Sequence, residues 1–268
     1  MIAVSAAEEI RLGALDRVLD GVQHASTLAP ELFSSVDVLE DQPTLRRALT
    51  DPGSDVEARK ALVTKLFSGK VSDDCVKVLT EAVSQRWTRG GALTSALERQ
   101  AVRAELRAAM DNGQLDDVED ELFRFDRLVA SDRSLRDALG DRSYEVGYRQ
   151  DLVTKLLDGK AHEATVVLAR RAVRARERNF ADTVEGYLNL AAEMRSRGVA
   201  TVRVARPLTD EQTSRLQAAL TRQVGREVAL HVIVDPDVIG GVRVELGDEV
   251  IEGTVQGRLD QAHRRFQA

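Results

Sequence analysis

The sequence predicts a mostly α-helical chain closed by a small α+β module: two tandem helical bundles, then a C-terminal β-α-β-β-α tail. Three observations predict it. Up to residue 195 prolines are confined to Pro30, Pro43 and Pro52, and Leu- and Ala-rich stretches recur at helical spacing. A 90-residue internal repeat doubles that helical region. After Gly198 the apolar period changes from helical to alternating.

Composition narrows the class of protein. Of 268 residues, 43% are hydrophobic and 31% charged, as expected of a globular chain with a sizeable core. Aromatics make up only 4%, so Leu, Val and Ala must fill that core. A net charge of −6 argues against general affinity for nucleic acid or anionic membrane. Cys75 is the single cysteine, which excludes an internal disulfide and any multi-cysteine metal site; on its helix it reads as a small core residue. No apolar run approaches the ~18–20 residues of a membrane span. The start, MIAVSAAEEIRLG, carries acid early and lacks an apolar core, so it resembles neither a secretory signal nor a transit peptide. The expectation is a protein that stays where it is made, without direct membrane insertion.

The repeat organises the helical elements. LVTKLFSGK at 62–70 returns as LVTKLLDGK at 152–160. Without gaps, Leu32–Lys70 aligns with Leu122–Lys160 at 16 identities in 39 pairs, including Phe33/Phe123, Leu45/Leu135, Arg59/Arg149 and Lys65/Lys155. Unrelated segments of this composition would share about two to four. Each copy then has the same parts. Helices are expected near 6–22 and 92–110, 28–39 and 118–130, 44–49 and 134–139, 55–67 and 145–157, and 73–87 and 163–177. Gly69 and Gly159 stop the fourth helix of each copy. A last helix near 181–197 ends copy two, whereas copy one's counterpart merges with the opening helix of copy two. Gly90-Gly91 marks the boundary. The expected divisions are 1–90 for the extra bundle, 91–198 for the second bundle and 199–268 for the α+β module.

The tail begins with alternation over 200–205, where Val202 and Val204 flank Arg203. Thr209 with Gln212 three residues on forms a capping box for a helix carrying Leu216, Leu220 and Val224. A second strand covers 227–234. Asp235, Pro236 and Asp237 then make a turn, and Gly240 and Gly241 supply two positions open to positive φ. Val242, Val244 and Leu246 alternate with Arg243 and Glu245, and Gly247-Asp248 fits a two-residue hairpin turn that sets Ile251 opposite Val244. Thr254 is the expected N-cap of a last helix with an apolar stripe of Val255, Leu259, Ala262 and Phe266.

The ordered string VDPDVIGGVRVELGDEVIEGTVQGRL resembles the C-terminal signature of the δ subunit of bacterial F-type ATP synthases, relatives of the mitochondrial oligomycin-sensitivity-conferring protein. Asp235, Pro236, Ile239, Gly240, Gly241, Gly247 and Asp248 carry it. Glu252 stands where that family usually has Asp, and Thr254 where it has Ser. DQPTLRRALTDP at 41–52 is close to the family's Asn-Pro-x-Leu-Arg pattern, which copy two lacks in its prolines. Removing one 90-residue unit leaves 178, about an ordinary member's size, so this chain resembles a long variant with a duplicated bundle.

The resemblance implies a non-catalytic stator subunit that needs no cofactor. Its helical region would hold N-terminal segments of the α subunits and meet other catalytic-head subunits. Its C-terminal module would hold the C-terminal helices of the membrane-anchored b subunit, with Val255, Leu259, Ala262 and Phe266 a candidate contact. The implied place is peripheral, on the cytoplasmic face of the bacterial plasma membrane.

The residues themselves offer no competing chemistry. His24, His162, His231 and His263 have no second His or Cys at metal-ligand spacing. The acidic run from Asp116 to Glu121 lacks the glycine and alternating ligands of a calcium loop and reads as a helix's charged first turn. No phosphate-binding glycine loop and no nucleophile elbow occur. The basic run RRAVRARER places Arg170, Arg171, Arg174 and Arg178 on one side of a helix. It reads as a solvated face or an acidic-partner contact. The alternative is a helical-repeat module that binds nucleic acid or a regulatory protein through this face.

Overall fold

In the computed structural model, the described residues are 6–22, 27–87, 90–174, 179–196, 198–224, 228–235, 238, 241–246 and 249–252. The chain divides into two compact units, residues 1–191 and 192–268. The first is helical: α1 (Ala6–Asp20), α2 (Leu28–Asp41), α3 (Pro43–Thr50), α4 (Val56–Phe67), α5 (Asp73–Ser84), α6 (Gly90–Asp111), α7 (Leu115–Ser131), α8 (Arg133–Gly140), α9 (Val146–Leu157), α10 (Glu163–Arg174) and α11 (Phe180–Ser196).

Apolar residues at three- and four-residue spacing make these helices amphipathic and bury one face of each. On α2 the buried face is Leu28, Leu32, Phe33, Val36 and Leu39, and on α5 it is Cys75, Val78, Leu79, Ala82 and Val83. Burial pushes the Cys75 thiol pKa up to about 12, as befits a small core residue. α5 stops at Ser84, three residues short of the expected Trp87. There the chain turns back, and the Trp87 indole N–H donates to the Ala82 carbonyl at 2.7 Å, satisfying one of the helix's last acceptors.

The repeat is reproduced in several matching hydrogen bonds. Thr64 and Thr154 each donate their hydroxyl to the carbonyl four residues back, Lys60 at 3.1 Å and Gln150 at 3.0 Å. Asp51 and Asp141 each accept from a backbone N–H two residues on, Gly53 at 2.9 Å and Ser143 at 2.8 Å. Glu31 of α2 accepts from the Ser72 N–H at 3.0 Å, and Glu121 of α7 from the His162 N–H at 2.9 Å. In both copies a second-helix carboxylate thus caps the fifth helix. Gly69 and Gly159 adopt φ of +73° and +66°, which makes them the left-handed stops the spacing predicts.

The Gly90-Gly91 pair, read as the boundary, opens a 22-residue helix, α6. That helix packs along α2, α1 and α5 and also against α7 and α10. It stands to α10 as α1 stands to α5. One helix therefore serves as the last of copy one and the first of copy two.

The second unit contains β1 (Gly198–Val204), α12 (Asp210–Val224), β2 (Val228–Val234), β3 (Val242–Leu246) and β4 (Glu249–Glu252). Its sheet order is β2-β1-β3-β4, with β1 parallel to β2 and antiparallel to β3. Val202, Val204, Leu220, Val228 and Val244 form its core, with Leu216 packed against them. The capping box forms in both directions: Thr209 N–H donates to Gln212 Oε1 at 2.9 Å, and Gln212 N–H to Thr209 Oγ1 at 3.3 Å. Val244 pairs with Ile251, the register the Gly-Asp turn predicts. The arm after that turn is a strand in its own right, so the described tail reads β-α-β-β-β and the expected β-α-β-β-α omits β4. The expected last helix lies outside the described residues.

Candidate interaction surfaces

Two buried polar clusters knit the helical unit together. The first joins α1 to α6. Asp16 and Asp20 lie four apart on α1, and Arg99, Arg103 and Arg107 lie four apart on α6, so both sets project as ladders from facing helix sides. Arg103 reaches Asp16 at 3.3 Å and Asp20 at 3.0 Å, and Arg107 reaches Asp20 at 3.4 Å. Arg99 pairs with Asp16, and the Gln100 side-chain amide donates to the same carboxylate at 2.9 Å. Burial alone would lift the Asp16 pKa. The Arg99 hydrogen bond and charge, with Arg103 and Gln100, outweigh it and hold the carboxyl below its ordinary value.

The second cluster joins the two copies. Arg171 of α10, 8% exposed, donates through Nε to Glu98 of α6 at 2.7 Å and through Nη1 to Asp37 of α2 at 2.6 Å. Its guanidinium also lies 4.9 Å from the centroid of the Phe33 ring, a cation–π placement. Arg174 adds a pair with Asp37 at 2.9 Å. Burial pushes the Glu98 pKa up, and Arg171 offsets only part of the rise. Tyr187 of α11 is buried beside Glu98, and its phenol pKa is raised by burial first and then by that carboxylate.

These contacts place the basic run. Arg171 is buried, not solvated, and its fork is occupied by Glu98 and Asp37 of its own chain. Arg174 is half-buried on Asp37, and Arg170 is half-buried with its carbonyl accepting from Gln150 at 3.2 Å. Arg178 lies outside the described residues. Of the signature residues, Asp235 donates its N–H to the Val204 carbonyl at 2.8 Å and faces Arg203 at 3.5 Å. Gly241 takes φ of +88° at the start of β3. Pro236, Ile239, Gly240, Gly247 and Asp248 lie outside the described residues, as do Val255, Leu259, Ala262 and Phe266.

Among the described residues, no group of three or more His, Cys, Asp or Glu is placed to hold a metal ion. The acidic run on α7 supplies the cap residue Glu121 instead. No helix among them is long and apolar enough to cross a membrane. What the helical unit does expose is aromatic and aliphatic surface: Ile10 on α1, Phe123 and Leu128 on α7, and Tyr144 with its ring centroid 5.6 Å from that of Tyr148 of α9, the rings tilted by 32°. Such surface on rigid helices suits contact with other helices. Sequence reading missed the ladder and the Glu98–Arg171 pair. The four-residue spacings of Asp16/Asp20 and Arg99/Arg103/Arg107 signalled the ladder, whereas nothing local signalled a pair 73 residues apart.

Similarity to known proteins agrees with this architecture. Residues 97–266 match the family described as ATP synthase delta (OSCP) subunit. The chain is 45% identical over 252 residues to the ATP synthase subunit delta of Cutibacterium acnes, covering 94% of this chain and 96% of that one. It is 42% identical over 272 residues to the Streptomyces avermitilis subunit, covering 99% of each. The Streptomyces griseus subunit is 41% identical, covering 94% of each. The family match begins inside α6, whereas these relatives extend through copy one as well. The chain belongs to the ATP synthase delta (OSCP) subunit family.

Proposed function

We propose that this chain, a non-catalytic peripheral-stalk subunit of the F-type ATP synthase, ties the catalytic head to the membrane-anchored b subunit, so that rotation is coupled to ATP synthesis. The helical unit takes the N-terminal segments of the α subunits, and the C-terminal unit takes the C-terminal helices of b. The protein sits peripherally on the cytoplasmic face of the bacterial plasma membrane. The observation that carries this reading is similarity over nearly the whole chain to delta subunits, at 45% identity over 94% of the chain in one case.

The physical demand on a stator is resistance to torque, and the helical unit supports it. The copies share α6, so no flexible linker separates them. The Asp16–Arg103 ladder and the Arg171 junction further oppose sliding between α1, α2, α6 and α10. The first copy gives the stator a longer rigid reach along the b helices.

The test is affinity purification of tagged full-length chain from gently solubilised membranes of the source cell. Co-purification of α, β, γ and b subunits is the expected result. Isolation without any synthase subunit would overturn the reading.

A further inference from the structure

The duplication presents one helix joint twice, with different titratable groups around it. The start of α5 is capped by Glu31 in copy one. The start of α10 is capped in copy two by Glu121, which accepts from the His162 N–H at 2.9 Å and the Thr165 hydroxyl at 2.6 Å. Around that shared cap, at the same 90-residue offset, Leu15, Thr27 and Ser72 of copy one become Glu105, Asp117 and His162 of copy two. Leu15 is fully buried, whereas Glu105 is a half-buried carboxylate on α6, the helix that packs on α10.

The charges gathered at this end of α10 are mostly negative. Glu163, in the first turn of α10, is the charged group whose field reaches Glu105, and it repels. From α7 come the cap Glu121 and also Asp117, which faces His162 at 3.6 Å and pairs with it only while His162 is protonated. The other helices packed on α6, namely α1, α2, α3 and α5, bring no charge that acts on Glu105 among the described residues. Its neighbours one turn away on α6 are Ala101, Val102, Ala108 and Ala109. Burial first, and then Glu163, push the Glu105 pKa up to about 7.

We infer that the start of α10 is a pH-responsive latch, closed on α6 while the Glu105 carboxyl is protonated and loosened once it ionises. Ionised, Glu105 is a half-buried anion beside Glu163 with no cation to pair with among the described residues. When α10 opens, water reaches Glu105 and its carboxyl ionises at the ordinary value of 4.5. The closed form therefore holds the proton more tightly than the open one. Opening becomes easier as pH climbs from the ordinary value to the raised one, and levels off above it. Loss of the His162 proton works in the same sense, because Asp117 is then left unpaired by it. The far end of α10 stays in place, held by Arg171 on Glu98 and Asp37 and by Arg174 on Asp37. The loosening is thus confined to the first turns of α10, and copy one, with Leu15 at the joint, lacks it.

The test is amide hydrogen exchange of the full-length chain at about pH 5 and about pH 8. Each rate is divided by that of an unstructured peptide at the same pH, so that only protection is compared. Protection of the Val166, Val167 and Leu168 amides should fall by about tenfold or more between the two pH values. Their counterparts Val76, Lys77 and Val78 in α5 serve as the control inside the same molecule and should change little. Glu105→Gln, and Glu105→Leu, which installs the residue of copy one, should each remove most of the fall in α10. The Leu variant keeps the test open if the Gln variant folds poorly. An equal change in α5 and α10 overturns the latch. A fall that persists in the folded Glu105 variants assigns it to His162 and overturns the role of Glu105.

Discussion

Replacing Arg171 with Met removes the cation that joins the two helical copies while keeping most of its apolar stem. Arg171 is 8% exposed, and its loss leaves Glu98, with a side chain 26% exposed, without its cation, while Asp37, 31% exposed, keeps only Arg174 at 2.9 Å. Breaking a buried pair from one side costs about 3–5 kcal/mol. Partial solvation of both carboxylates argues for the lower end, and the lost cation–π contact on Phe33 adds about 0.5–1 kcal/mol. A loss of about 3 kcal/mol in a unit of this size lowers its Tm by about 6–12 °C. The sign of the pH dependence follows from Glu98, whose folded pKa already lies above its ordinary value. The folded state holds that proton more tightly than the unfolded chain, so stability falls as pH rises through the raised value. Without Arg171 the pKa rises further, so the deficit should be larger at about pH 8 than at about pH 5. The assay is thermal melting at 222 nm of Arg171→Met, Glu98→Gln and the double variant at both pH values. The double variant should recover part of the loss, because no buried charge at Glu98 is then left alone. A single variant that melts within about 2 °C of the parent, or a strictly additive double, would refute the reasoning.

Other expectations are as direct. Burial, and then the charge of Glu163, push the Glu105 pKa up to about 7. A raised folded carboxylate pKa lowers stability as pH climbs through it, so Glu105→Gln should stabilise the helical unit by about 1–3 kcal/mol above neutrality and by nothing near pH 4, read as a pH-dependent difference in urea midpoint. Gly69→Ala and Gly159→Ala meet no atom within 4 Å of the new Cβ, so each should cost only the left-handed strain of about 1–2 kcal/mol, equally at the two sites, by chemical denaturation. Thr209→Ala should destabilise α12 by about 1 kcal/mol, seen as faster amide exchange in its first turn with the helical unit unaffected.

The helices were legible because each carries an apolar stripe and a punctuating residue. Leu32, Val36 and Leu39 mark α2, Gly69 and Gly159 end their helices, and Thr209 with Gln212 starts α12. The Val244–Ile251 pairing followed from the two-residue turn alone. What local pattern could not show was long-range partnership. The run from Arg170 looks solvated because local sequence shows no partner for Arg171, whereas Glu98 and Asp37 arrive from 73 and 134 residues away. Gly90-Gly91 reads as a boundary between copies because glycine lowers helix propensity, yet the pair opens α6, which is stabilised by packing on α1, α2 and α5. The end of α5 depended on the Trp87 indole finding a carbonyl, a tertiary choice invisible to periodicity.

The measurement that bears most directly on the stator account is ATP-driven proton pumping by membrane vesicles stripped of this chain and then supplied with it. The account predicts that stripped vesicles hydrolyse ATP without acidifying, and that full-length chain restores acidification while having no hydrolytic activity of its own. Vesicles that pump equally well with and without the chain would contradict it.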